Sequence, residues 1–233
     1  MQTHKIVSEP EWLAARKDLL LQEKALSKAR DRLNAARRDL PWVKFEKTYI
    51  FDGPNGKESL ADLFAGRSQL IVYHFMFAPG DKQGCPMCSF LSDHIDGTLP
   101  HLEHHDVSLV VVSRATRTEI EPYRKRMDWR FKWMSSNEND FNRDYHVSFT
   151  KDDIANGNTM YNYEIGGKTH EGEAPGISVF LKDEDNIFHT YSSYARGGDL
   201  LIGTYNYIDL TPKGRNEAGE NSGWVRRHDE YQR

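Results

Sequence analysis

The sequence predicts an α/β sandwich on a mixed central sheet, and three patterns predict it. Residues 70–77 and 107–112 are nearly continuous apolar runs of strand length, as expected of central strands covered on both faces. A helical pattern lies between them and another follows the second, the alternation that builds parallel pairs. Residues 177–181 and 187–191 flank the polar Asp183-Glu184-Asp185-Asn186, a hairpin pattern that adds antiparallel strands to the same sheet.

The elements follow in chain order. Residues 11–39 are rich in Ala, Leu, Lys and Arg with no internal Gly or Pro, and Pro41 stops them, so a long helix is predicted. Ser8 or Glu9 before Pro10 marks its start. Trp12, Leu19, Leu26, Leu33 and Leu40 recur every seven residues with Ala15, Gln22, Ala29 and Ala36 between them, an apolar seam with one thin side. That seam packs on the helix's own domain or makes a dimerisation arm for a homodimer.

Residues 42–51 alternate as a strand and end in the turn Asp52-Gly53-Pro54-Asn55-Gly56. Ser59 caps a short helical turn that stops at Gly66. After the first apolar strand comes Ala78-Pro79-Gly80-Asp81-Lys82-Gln83-Gly84, then a helix from Pro86 to about Asp96 that resumes through Leu102. A helix over 118–127, a short strand over 131–134 and an irregular stretch over 141–149 follow. Residues 150–174 form a polar excursion with at most short strands. Residues 199–207 close with a helix, and in the polar tail 214–233 only Trp224 and Tyr231 suggest docking. The expected division is a helical extension, 1–41; the main domain, 42–213, with 150–174 as an insertion; and the tail.

Composition excludes several classes. Hydrophobic residues make up 38% and aromatics 12%, too many for a disordered chain. A net charge of −4 supplies no basic field to hold nucleic acid. No apolar run approaches the roughly 18 residues that span a bilayer. The first ten residues lack the basic start and apolar stretch of a secretory signal. A cytoplasmic protein without nucleic-acid or membrane partners is expected.

Only two cysteines occur, in Cys85-Pro86-Met87-Cys88. In a reducing compartment such a pair serves redox chemistry or metal binding before it serves as a staple. At a helix start the first sulfur meets unpaired N–H groups that favour its thiolate. Cys85 is thus the expected nucleophile and Cys88, one turn on, the resolving thiol. Pro86 suits the first turn, where its missing N–H is not needed. Lys82 lowers the Cys85 pKa further if the loop folds back.

The strand, Gly84-Cys85-Pro86-Met87-Cys88, and Ala174-Pro175 before the strand at 177–181 resemble a thioredoxin fold. The front part, from Phe51-Asp52-Gly53 through residues 60–64, is similar to the peroxiredoxin branch. Together with the N-terminal helix, His74-Phe75-Met76-Phe77, residues 191–197 and residues 224–231, nearly the whole chain resembles a bacterial thioredoxin-like family, domain of unknown function eight-nine-nine. The resemblance implies that Pro175 is a cis-proline shaping the substrate face. It also implies that His74 stands near the buried carboxylate that takes the proton of the resolving thiol; the alternative is a hydrogen-bonded core histidine.

The chain departs from both patterns. Thioredoxin has Trp before its first cysteine, where Gly84 stands here. In the peroxiredoxin pattern Pro-x-x-x-Thr-x-x-Cys, Thr orients the peroxide; here Pro79 lies six positions before Cys85 and Lys82 three before it. The expected function is a thiol–disulfide oxidoreductase acting on protein or low-molecular-weight disulfides and thiols, with no cofactor. The alternatives are a thiol peroxidase, in which Cys85 becomes a sulfenic acid, and a non-enzymatic redox sensor or binding scaffold.

Other patterns compete. Cys85, Cys88, His101 and His105 satisfy a zinc-finger spacing, yet Pro100 and the large α/β setting argue against it. Bound zinc would hold both thiolates, so the two readings exclude each other. Arg114, Arg117 and Arg143 form a positive rim or are paired. Trp129, Trp133, Tyr161 and Tyr163 floor a groove or pack the core.

Overall fold

A computed structural model describes residues 4–167, 170–217 and 223–232; the parts of the predicted extension, insertion and tail at 1–3, 168–169, 218–222 and 233 lie outside the described residues. The chain divides into two compact units, Met1–Pro41 and Trp42–Arg233. The first carries α1 (Glu9–Arg38). Its start is a capping box in which the Glu11 carboxylate accepts the Ser8 N–H at 3.0 Å. Glu9 and Glu11 in the first turn and Arg37 and Arg38 in the last complement the helix dipole. None of its residues is buried, and Trp12, Leu19, Leu26 and Leu33 are exposed.

The second unit runs β1 (Val43–Phe45), β2 (Ile50–Gly53), β3 (Gly56–Ser59), β4 (Gln69–His74), α2 (Pro86–Ser92), α3 (Leu99–His104), β5 (Val107–Ser113), α4 (Arg117–Arg126) and β6 (Lys132–Ser135). It continues through α5 (Phe141–Asp144), β7 (Ser148–Phe149), α6 (Lys151–Ala155), β8 (Met160–Tyr161), β9 (Glu164–Ile165), β10 (Gly172–Glu173), β11 (Gly176–Asp183), β12 (Asn186–Tyr194) and α7 (Gly203–Ile208). An eight-stranded sheet has the order β1-β12-β11-β4-β5-β6-β2-β3. At its centre β4 and β5 are parallel, β11 is antiparallel to β4, and β12 is antiparallel to β11. This is the mixed, thioredoxin-like α/β arrangement that the sequence predicts.

The strand expected over 42–51 is two strands. Val43 pairs with His189 at one end of the sheet, while Asp52 pairs with Ser135 near the other. Six strand steps of about 4.8 Å separate β1 from β2 in the sheet order, but the chain from Phe45 to Ile50 reaches only about 18 Å. The sheet therefore curls. Phe45 lies 5.4 Å from the Tyr49 ring and 6.1 Å from that of Phe180 inside the curl.

Strand alternation sends β4 side chains to two cores. Leu70 and Val72 enter one with Tyr49, Phe51, Phe141, Tyr145 and Phe180. Tyr73, with Phe75 and Phe77 just beyond the strand, enters the other with Cys88, Phe90, Tyr123, Trp129 and Trp133. Each fully buried large apolar side chain contributes roughly 1.5–3 kcal/mol.

In the excursion, β8 and β9 form a hairpin whose two-residue turn is Asn162-Tyr163. Both have positive φ, 51° and 65°. Such turns favour Asn-Gly, and a bulky residue held there costs on the order of 1–3 kcal/mol. The described part of the tail packs more than its sequence suggests: Trp224 meets the Phe90 ring at 5.6 Å, and Val225 and Arg227 are buried. Among the described residues no helix is long and apolar enough to cross a membrane.

Candidate functional site

The loop after β4 is tied back to the sheet, with Phe75 N–H donating to Val112 O at 2.8 Å and Cys85 N–H to Met76 O at 3.1 Å. These bonds set Cys85 as the N-cap of α2, with Pro86 following it. The Cys85 carbonyl accepts the Ser89 N–H at 2.9 Å, so the helix starts at the thiol. Both cysteines are free; Cys85 is partly exposed and Cys88 is buried.

The environment drives the two thiols apart. A hydrogen bond from the Cys88 thiol, the N–H groups of Cys88 and Met87 and the charge of Arg227 lower the Cys85 pKa to about 6, against the opposing effect of burial. Burial, and then the neighbouring Cys85 sulfur, push the Cys88 thiol up. The Cys88 sulfur accepts the Met76 N–H at 3.5 Å, and the Tyr73 hydroxyl bonds to it. Beside Cys88 lies an apolar cavity of about 80 Å³ whose walls include Met76, Met87, Leu91, Pro175 and Ile202.

His74 stands elsewhere than predicted, and Pro175 stands beside the thiols but in the other isomer. His74 points away from the thiols, into the opposite core, because it shares the strand face of Leu70 and Val72. It is fully buried, stacks on Phe141 at 5.4 Å and bonds Ser178 Oγ at 2.9 Å. Burial and then the nearby His189 lower its pKa to about 3. Tyr73, one residue earlier, faces Cys88, and alternation from Phe75 was the sequence signal for it. Pro175 does line the cavity beside Cys88, but no cis peptide bond occurs among the described residues, so it is trans. The extended form already pairs its neighbours: Ala174 N–H donates to Val147 O at 2.8 Å and Tyr161 O–H to Pro175 O at 3.0 Å. Trans is also the lower-energy isomer by about 0.5–1 kcal/mol.

Arg227, part of the 224–231 segment but given no role by the sequence, closes the site from the tail. Its Nε donates to Gly84 O and to Tyr123 Oη, both at 3.0 Å, its Nη2 also reaches Gly84 O, and Glu230 pairs with it at 3.2 Å. Arg126 in turn holds Asp229 at 2.6 Å. Gly84, where thioredoxin has Trp, has no room for a side chain: a Cβ would stand 2.7 Å from Phe75 Cζ and 2.9 Å from Tyr123 Cε1. Gly84→Ala is expected to destabilise the fold by about 1–3 kcal/mol, as a lower urea midpoint. An unchanged midpoint would show that the loop yields freely.

The competing patterns do not assemble. Among the described residues no three His, Cys, Asp or Glu side chains come together to hold a metal. His101 and His105 are exposed, while His94 bonds Phe90 O and Thr204 Oγ1, both at 2.8 Å. Arg114 bonds Ser148 and Glu173, Arg117 bonds Pro54 O, and Arg143 bonds Asp153. Trp129 and Trp133 are core residues.

Fold and site together define a dithiol at a helix start on a thioredoxin-like sheet. The chain belongs to DUF899, a family described as bacterial protein of unknown function, which matches residues 1–231. Among curated proteins none matches. Among solved structures it is similar to a PrxQ mutant from Xylella fastidiosa, with 12% identity over 71% of this chain and 94% of that one and a TM-score of 0.48. It is likewise similar to the peroxidoxin BcpB from Mycobacterium tuberculosis, with 11% identity over 72% and 97% and a TM-score of 0.47. For peroxiredoxin Q from Xanthomonas campestris the values are 15%, 73% and 91%, with a TM-score of 0.46. At these identities none of them transfers a residue role to this chain.

Proposed function

We propose that this protein is a thiol–disulfide oxidoreductase that cycles between a Cys85/Cys88 dithiol and their disulfide. The observation that carries the reading is the opposed acidity of two thiols one helical turn apart, Cys85 lowered and Cys88 raised. Only the outer sulfur is then a thiolate near neutral pH, and the inner one holds its proton until the outer one has reacted.

The reaction balances over two thiol exchanges. Cys85 thiolate attacks one sulfur of a substrate disulfide, forming a mixed disulfide and releasing the other sulfur as thiolate. Cys88 passes its proton to that leaving thiolate and attacks Cys85 Sγ. The Cys85–Cys88 disulfide forms, the second substrate sulfur leaves, and two electrons have passed to substrate. Tyr73 and the Met76 N–H position the Cys88 sulfur. The apolar cavity beside it suits a disulfide, from a protein or a small molecule, with an aliphatic or aromatic arm next to the reacting sulfur. A peroxidase would need a donor on the peroxide oxygens; Lys82 is exposed, and Arg227 directs its donors to Gly84, Tyr123 and Glu230.

The test is alkylation trapping with intact-mass readout, against pH and across graded thiol redox buffers. Alkylation of reduced protein should rise with pH through a midpoint of about 6, because thiolate accumulates above the Cys85 pKa. The pair should titrate as one two-electron step between about −270 and about −120 mV. Alkylation with an ordinary cysteine midpoint near 8.5, or thiols that resist every buffer, would end the reading. Consumption of hydrogen peroxide without disulfide exchange would favour the peroxidase.

A further inference from the structure

On the sheet face opposite the thiols, a β-bulge builds a second site. Val179 and Phe180 are consecutive on β11 but pair with Tyr191 and His189, leaving Thr190 as an extra residue in β12. The bulge brings His189 and Ser192, three apart, onto one face, where His189 Nε2 lies 2.8 Å from Ser192 Oγ. Hydrogen bonds continue from Ser192 to Ser178 at 3.0 Å and from Ser178 to the buried His74 at 2.9 Å. The bulge thus ends a His-Ser-Ser-His chain whose His74, Ser178 and Ser192 are buried and whose His189 is half-buried.

The tautomer of His189 follows from its partners. Nε2 also lies 3.1 Å from the Tyr191 carbonyl, which can only accept, so Nε2 carries the hydrogen and Nδ1 carries a lone pair. Among the described residues nothing donates to that lone pair. Burial lowers the His189 pKa, which keeps the ring neutral.

His189 lines an open cavity of about 350 Å³ with Tyr145, Met160, Tyr163, Tyr194 and Asp144. Tyr145 meets the imidazole edge-on at 5.2 Å, and Tyr163 meets Tyr194 at 5.5 Å. Tyr163 occupies the strained turn position that favours glycine, yet its hydroxyl is pinned to Ser192 O at 2.8 Å. The strain is maintained where the side chain walls the cavity, as at binding sites. The Asp144 carboxylate is paired with Lys47 and accepts from the Tyr49 hydroxyl, so this part of the wall presents no unpaired charge to a ligand.

We propose that this cavity binds a neutral phenol, its ring among Tyr145, Tyr163 and Tyr194 and its hydroxyl donating to His189 Nδ1. The site is independent of the thiol chemistry. Its probes are p-cresol and toluene, which differ by the hydroxyl alone, titrated by calorimetry and by ¹⁵N shifts of the His189 ring in the full chain. Saturable p-cresol binding is expected, about tenfold or more tighter than toluene, with a shift at Nδ1. His189→Phe should erase the preference. Tyr163→Gly, which relieves the turn, should weaken p-cresol binding about tenfold while the melting midpoint holds or rises. Equal binding of the two probes, no saturation, a retained preference in His189→Phe or unweakened binding in Tyr163→Gly would each overturn the proposal.

Discussion

Cys85→Ser is expected to cut disulfide turnover by at least about a thousandfold, because a serine hydroxyl forms no anion near neutral pH and cannot make the mixed disulfide. The partner change behaves differently. Cys88→Ser leaves the attacking thiolate in place and removes the group that resolves the intermediate, so turnover also stops but mixed disulfides accumulate on Cys85. Mass spectrometry of the two variants after one addition of a model disulfide separates the outcomes: no adduct in the first and one stoichiometric adduct in the second. Cys88→Ala, which removes the hydrogen-bond donor as well, should attack more slowly near neutral pH, since the bond from the Cys88 side chain is the largest influence lowering the Cys85 pKa. Full turnover in both variants would remove the dithiol from the mechanism. A single oxidation per stimulus in the unaltered protein, without repeated cycles on added reductant, would point to a sensor.

The largest structural effect is expected at Trp133. Its ring is buried against Phe75 at 4.6 Å, Trp129 at 5.8 Å and Phe131 at 6.0 Å, with Phe77 and Tyr123 both at 6.2 Å. Its Nε1 donates to Ser113 Oγ at 3.0 Å, so the polar edge is paired as well. Trp133→Ala should destabilise the fold by about 3–5 kcal/mol, combining lost burial with the cavity left behind. Trp12→Ala, on the exposed surface of α1, is the matched control and should change stability by no more than about 0.5 kcal/mol. Urea unfolding of the reduced protein measures both. A loss below about 1 kcal/mol at Trp133 would mean that the aromatic cluster relaxes to fill the space. The cluster also supports the site, because Phe75 and Tyr123 wall Gly84, so the surviving folded fraction should show a broader alkylation profile at Cys85.

Local chemistry was legible wherever neighbours in sequence are neighbours in space. Ser8 or Glu9 before Pro10 marked the start of α1, where the structure shows Ser8 in a capping box with Glu11. The apolar runs marked β4 and β5, and the Cys85-Pro86-Met87-Cys88 spacing placed two sulfurs one turn apart at a helix start. The hairpin of β11 and β12 was equally plain, but its bulge was not, since an extra residue in a strand leaves no mark on apolar alternation as short as this. That bulge alone brings His189 beside Ser192.

Facing and distance were decided by tertiary structure. His74 and Tyr73 are adjacent, and a strand turns one toward each core; the resemblance pointed to the histidine, while the packing gives the thiol to the tyrosine. Arg227 meets Gly84 across 143 positions of sequence, a separation over which no periodicity or motif carries information. By itself the sequence determined the fold class and the placing of two sulfurs one turn apart at a helix start, because those depend on propensity, patterning and the geometry of one helical turn. Which groups surround the sulfurs, that the Pro175 bond is trans and that a second cavity opens on the far face were decided only when the sheet curled and the tail docked, because those contacts join residues far apart in the chain.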